Sequence, residues 1–203
     1  MSTPYSDPTP PLSIRIYLTD GTVQSFIQSD ETLAQEIWQH LDPARLHTQQ
    51  RLVLAGIHSK SVFVCSEIVR IDFNWPAPEP WQFFEGYADV VELSESEYRQ
   101  RAHLDEPALR PERELPTPVG DLLVSFLKLQ LRNSAPVYLM TEFVVKLPAE
   151  NHSFMRFLLS KTWFYLRLRD GGVALVNLAN LAAYSVYPGV QQIPTDAWYA
   201  EPA

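Results

Sequence analysis

The chain has 203 residues, 46% of them hydrophobic and 20% charged, with a formal net charge of −8 at pH 7. That composition belongs to a globular protein of one domain or two small ones, long enough to bury a core without covalent staples. The single cysteine, Cys65, excludes an internal disulfide framework and a multi-cysteine zinc site. No apolar run approaches the roughly 20 residues of a membrane span. The opening MSTPYSDPTPP lacks the basic and apolar regions of a secretory signal, so the cytoplasm is the expected compartment.

Charge is uneven along the chain. Residues 14–73 carry five basic and seven acidic side chains, 74–118 carry four and ten, and 127–187 carry seven and three. An acidic middle followed by a mildly basic second half is the pattern of surfaces that neutralise each other across a packed interface.

After a Pro-rich tail, 1–13, the first unit spans 14–73. Ile14, Ile16 and Leu18 alternate with polar residues, which is strand periodicity. Asp20-Gly21 predicts a two-residue type I′ hairpin turn into a strand over 23–27. Ser29 or Asp30 can cap a helix with an apolar stripe of Leu33, Ile37, Trp38 and Leu41, ended by Asp42-Pro43. RLVLAGI, SVFVC and IVRIDF follow as strands, with a turn at HSK and a kink near Ser66-Glu67.

Residues 74–126 read as an acidic connector packed on the units either side of it. Seven prolines in 74–118 bar a long regular element there. Five aromatics in 13 positions, Trp75, Trp81, Phe83, Phe84 and Tyr87, do not suit a disordered linker. Burying such rings would pin the segment to a folded surface; leaving them exposed would make a partner-binding strip. ADVVEL predicts a short strand and SESEYRQRA a short helix capped by Ser94 or Ser96. VGDLLV has a helical start, and the alternation that follows argues for a strand.

The second unit, 127–187, repeats the order of the first and is followed by a C-terminal tail, 188–203. FLKLQLRN alternates, Asn133-Ser134 stands where Asp20-Gly21 stood, and VYLMTEFVVKL returns. Asn151 or Ser153 can cap a helix carrying Phe154, Phe157 and Leu158. WFYLRLR, the turn Asp170-Gly171-Gly172 and VALVNLANLAAYSVY close the unit. Ile14 and Leu127, Ser59 and Gly172, and Ile68 and Leu181 are each 113 apart. The helices sit 121 apart, Leu33 with Phe154 and Ile37 with Leu158. The expected fold class is therefore α+β and β-rich, two tandem ββαβββ-like repeats packed together through the connector.

The segment 171–187, GGVALVNLANLAAYSVY, resembles the last strands of LytTR DNA-binding domains and of Sm-like barrels. The resemblance covers 17 residues and implies a β-hairpin only; no DNA-contacting residue and no function are carried over from it.

Motifs for chemistry are absent from the sequence. His40, His47, His58, His103 and His152 include no pair at metal-ligand spacing, and no nucleophile elbow or phosphate loop occurs. His40 suits a helix C-terminus. Cys65 lies in an alternating strand and reads as a small buried hydrophobe. Arg167 and Arg169 share a strand face with Trp163 and Tyr165, which could stack bases, but no accompanying nucleic-acid motif supports it. No cofactor, metal or catalytic residue is expected, and both nucleic acid and membrane are argued against. The expected function is a non-catalytic interaction or assembly protein, with a protein partner or self-association. The alternative is a regulatory domain that binds a small ligand in a pocket between the repeats. Candidate partner-binding residues are Trp75, Trp81, Phe83, Phe84 and Tyr87. The one unmatched polar loop, with Asp42, Arg45 and His47, is the place to look for chemistry.

Overall fold

A computed structural model describes residues 11–40, 46, 48–75, 86–105, 118–147, 158–187 and 198. The fold is mixed α and β, with mostly strands. The strands are β1 (Leu12–Leu18), β2 (Val23–Gln28), β3 (Arg51–Ala55), β4 (Lys60–Val64), β5 (Ile68–Asn74), β6 (Tyr87–Leu93), β7 (Leu122–Leu131), β8 (Val137–Val144), β9 (Trp163–Arg167), β10 (Val173–Asn177) and β11 (Leu181–Tyr187). The helices are α1 (Glu31–Gln39) and α2 (Glu95–Arg101), with single 3-10 turns at Cys65–Glu67 and Leu178–Asn180. Among the described residues no helix is long and apolar enough to cross a membrane.

Among the described residues nine strands form one sheet in the order β11-β7-β8-β6-β9-β10-β5-β1-β2, while β3 and β4 pair only with each other. All neighbours are antiparallel except β6 and β9, which meet in parallel at Val91 and Arg167. Two cores follow. Leu127, Leu129 and Leu139 of β7 and β8 pack with Phe164, Leu166 and Val176. Ile14, Ile16, Ile71 and Phe73 pack with Trp38 and with Trp163, Tyr165 and Leu175. The β9–β10 hairpin thus sends alternate side chains into two cores, which is why its strands read as continuous apolar runs.

Residues 113 apart take the same register. Ile14 lies opposite Phe26 and Phe73, and Leu127 lies opposite Leu139 and Val186. Each outer pairing has its irregularity at one place, skipping Val69 in β5 and Ala182 in β11. The Thr19 amide donates to the Glu67 carbonyl at 2.9 Å, and the Arg132 amide to the Asn180 carbonyl at 2.9 Å. The hairpins match too: Arg51 opposes Val64 as Trp163 opposes Asn177.

Three local expectations need correction. The β1–β2 turn is not type I′. The Leu18 amide donates to the Thr22 carbonyl and the Gly21 amide to the Leu18 carbonyl, leaving three loop residues with only Gly21 at positive φ, because the Asp20 carboxylate takes the Thr22 amide and hydroxyl. The segment before β7 is no helix: Gly120, at φ 95, turns the chain, and the strand starts at Leu122. The segment read as a connector also supplies a middle strand of the sheet, β6, between β8 and β9. Its helix α2 is held by a capping box, in which the Ser94 hydroxyl accepts from the Glu97 amide and the Glu97 carboxylate accepts from the Ser94 amide. Of the expected second-unit helix, Leu158 and Leu159 are helical, and the rest lies outside the described residues.

Candidate interaction surface

The hairpin β3–β4 is amphipathic because its strands alternate. Phe63 is buried, and Leu52 and Leu54 are half-buried, on the core of β1 and β5, with Phe63 edge-on to Phe26 at 5.9 Å between ring centroids. The opposite face exposes Val53 (53%), Val62 (56%) and Val64 (51%). On β9–β10 the matching positions are Tyr165, Leu175 and Asn177, and all three are buried.

Side-chain chemistry explains the difference. The Asn177 amide donates to the carbonyls of Ile68 (2.9 Å) and Cys65 (3.4 Å), and its oxygen accepts from the Ala179 amide. The Asn180 amide donates to the carbonyls of Ile68 (3.1 Å) and Ser66 (3.3 Å). These bonds seat β10 along β5. At the matching places the first hairpin has Val64 and Glu67. Val64 has no polar atom to donate, and Glu67 accepts from the Thr19 hydroxyl instead. The strand matching β5 is β11, and among the described residues it ends the sheet with one side unpaired. Ala182, Ala183, Tyr184 and Ser185 are exposed along it.

A buried charged cluster stands apart from this surface. The Arg70 guanidinium bonds Asp72, and Glu92 through both terminal nitrogens at 2.6 and 2.8 Å; the Tyr17 hydroxyl donates to Asp72 at 2.9 Å. Burial alone would lower Arg70, but the bonds and charges of Glu92 and Asp72 outweigh it and hold it above its ordinary value. One guanidinium thus holds two carboxylates, and the cluster ties β5 to β6 and β1. Among the described residues no three His, Cys, Asp or Glu side chains converge as metal ligands.

A cavity of about 250 Å³ lies within the first unit, under α1 and β3, and is lined mainly by Ile14, Ile37, Leu46, Leu52, Ile71 and Phe73, with His40 and Gln49 as its polar groups. It is not between the two units, and it falls below the usual ~300–1,000 Å³ of ligand sites. His40 also makes a 2.7 Å bond through Nδ1 with the Glu36 carbonyl at the end of α1.

Of the aromatic residues expected to bind a partner, Trp75 and Tyr87 are described, and they lie in different cores. Trp75 is buried against Trp38, ring centroids 5.8 Å apart. Tyr87 is buried in the other core, 5.2 Å from Phe143. These two therefore do not form one exposed strip. Trp81, Phe83 and Phe84 lie outside the described residues, as do Asp42, Arg45 and His47. The arginines weighed for nucleic acid are engaged with carboxylates: Arg167 bonds Asp89, and Arg169 lies 3.6 Å from Glu97. Cys65 is buried, and burial pushes its thiol up.

Sequence reasoning missed the outer hairpin face and the pair Asn177 and Asn180. One signal was present: RLVLA has apolar residues on both faces, which a strand exposed on one side does not need. No protein family, curated protein or solved structure matches the chain.

Proposed function

We propose that the chain is a cytoplasmic, non-catalytic interaction protein, built from a tandem duplication of one β-rich unit, 14–73 and 127–187. The carrying observation is the outer face of β3–β4. Val53, Val62 and Val64 form an apolar surface on one hairpin, while on the other hairpin Tyr165 and Leu175 of the matching face pack into the core of β1 and β5. Apolar clusters of this kind on an otherwise polar surface mark protein contacts. The shared registers 113 residues apart support the duplication. The second reading, a small-ligand domain, rests on the cavity beneath α1.

One experiment separates the two. Methyl-labelled protein is titrated with a cell extract divided by filtration into macromolecules and small molecules. Interaction predicts that the macromolecular fraction broadens the Val53, Val62 and Val64 signals. Response of Ile37, Leu46 and Leu52 to the filtrate alone would replace it with the ligand reading, and no response in either arm would refute both.

A further inference from the structure

The hairpin β9–β10 does not stop at its own unit: β10 runs antiparallel along β5, with Leu175 opposite Ile71 and Ala174 opposite Asp72. The matching hairpin and the matching strand edge, β4 and β11, are both present and both unpaired with each other. Counting back and forward by 113 residues, the same pairing would set Val62 opposite Tyr184 and Ser61 opposite Ser185. Val62 and Tyr184 are each more than half exposed, 56% and 52%. An open strand edge with small side chains is a ready template for another strand.

We propose that β4 of one chain adds to β11 of a second copy, so that chains join head to tail. The proposal rests on the reading of the hairpin face as a protein-binding surface and names its partner. Closure within one chain is disfavoured by packing. The inner face of β3–β4 is seated on the first core through Phe63, β11 is bonded along β7, and the two units are joined by β10 on β5. Bringing β4 to β11 in one chain would break one of these, whereas a second copy meets both surfaces as they stand. No like charges meet at the seam: β4 carries Lys60 as its one charged residue and β11 carries none. Such a contact is heterologous, using different patches on the two partners, so it builds rings or open chains rather than a closed isologous pair.

The test uses two full-length variants. Val62→Lys disables the hairpin face and keeps the edge; Tyr184→Lys disables the edge and keeps the hairpin. Both sites are exposed, so folding, followed by circular dichroism, is expected to be unchanged. In sedimentation velocity the wild-type mass rises with concentration, each variant alone weakens association roughly tenfold or more, and the equimolar mixture stops at a 1:1 dimer. A second arm mixes Ser61→Cys chains with Ser185→Cys chains, both on a Cys65→Ala background, and oxidises them. A disulfide between different chains is expected, and neither variant alone forms it. A wild-type monomer at every concentration together with no inter-chain disulfide overturns the proposal. So does a 61–185 disulfide formed only within one doubly substituted chain. If self-association fails while the Val53, Val62 and Val64 methyls still respond to macromolecules, the self-pairing falls and the wider interaction reading stands. If those methyls are also silent, both fall.

Discussion

Leu175 and Val62 hold the same place in two hairpins 113 residues apart, yet Leu175 is fully buried and Val62 is 56% exposed. The difference lies in what stands beside each strand. β10 is paired with β5 and Leu175 packs into the core of β1 and β5, whereas among the described residues β4 pairs only with β3 and Val62 lines an open cleft with Leu18, Gln24 and Glu67. Their substitutions therefore diverge. Leu175→Ala is expected to cost about 2–5 kcal/mol of unfolding free energy through the cavity it leaves. Val62→Ala is expected to stay within about 0.5 kcal/mol. Urea unfolding of both variants measures the contrast, and equal losses would show that Val62 is covered in the free chain.

Gly172 marks how closely the second hairpin approaches β5. It sits at φ 89, and a Cβ there would meet the Phe73 carbonyl oxygen at 2.2 Å. Gly171, at φ 94, has open space where its Cβ would be. Gly171→Ala should cost about 1–2 kcal/mol, the price of left-handed backbone alone. Gly172→Ala should cost clearly more, because backbone must move as well. Thermal unfolding of the two side by side tests the approach, and Gly172→Ala no worse than Gly171→Ala would contradict it.

Arg70 is buried and held by Asp72 and Glu92. Glu92 still holds the guanidinium through two bonds when Asp72 is removed, so Asp72→Ala is expected to lose about 1–3 kcal/mol, from the lost bond to Arg70 and the Tyr17 hydroxyl left without its acceptor. Removing both carboxylates, Asp72→Ala with Glu92→Gln, strands the buried cation and is expected to lose clearly more, about 3–5 kcal/mol. A double variant no worse than Asp72→Ala, measured by urea unfolding, would show that Glu92 does not hold Arg70.

Alkaline pH should weaken the fold. Burial raises the phenols of Tyr17, Tyr87, Tyr98, Tyr138 and Tyr165 above their ordinary value; beyond burial, Asp72 adds to the rise at Tyr17, Tyr138 at Tyr98, and Glu95 at Tyr138. A group with a raised folded pKa gives stability that is complete below its unfolded pKa and lost as pH rises towards the folded one. The loss should begin near pH ~10, the unfolded tyrosine value. Chemical denaturation from neutral to strongly alkaline pH measures it, with phenol ionisation followed in the ultraviolet. Stability that stays level well past that point would contradict the burial of these phenols.

Much of the strand pattern was legible because alternation is a local property. Ile14, Ile16 and Leu18, or Leu127, Leu129 and Leu131, announce one buried face without any partner in view. Long-range pairing was not legible. Nothing near Arg70 in IVRIDF points to Glu92, 22 residues on, or to Tyr17, 55 residues from Asp72. The middle place of β6 depended equally on distant partners, β8 and β9. At the Asp20 turn the backbone preference alone favoured type I′, and the side-chain bonds of Asp20 to Thr22 selected a three-residue loop instead. For the interaction surface, composition hinted at Val53, Val62 and Val64, but only the contrast with the buried β9–β10 face separates an open surface from a core.

The most direct measurement is site-specific photo-crosslinking in living cells, with a benzophenone side chain at Val62 and, in parallel, at Ile27. Ile27 is also exposed, on the far edge strand β2. An interaction surface on β3–β4 predicts a protein adduct at position 62, lost when Val53→Lys is added, and little or none at 27. No adduct at 62, or equal adducts at both positions, would contradict it.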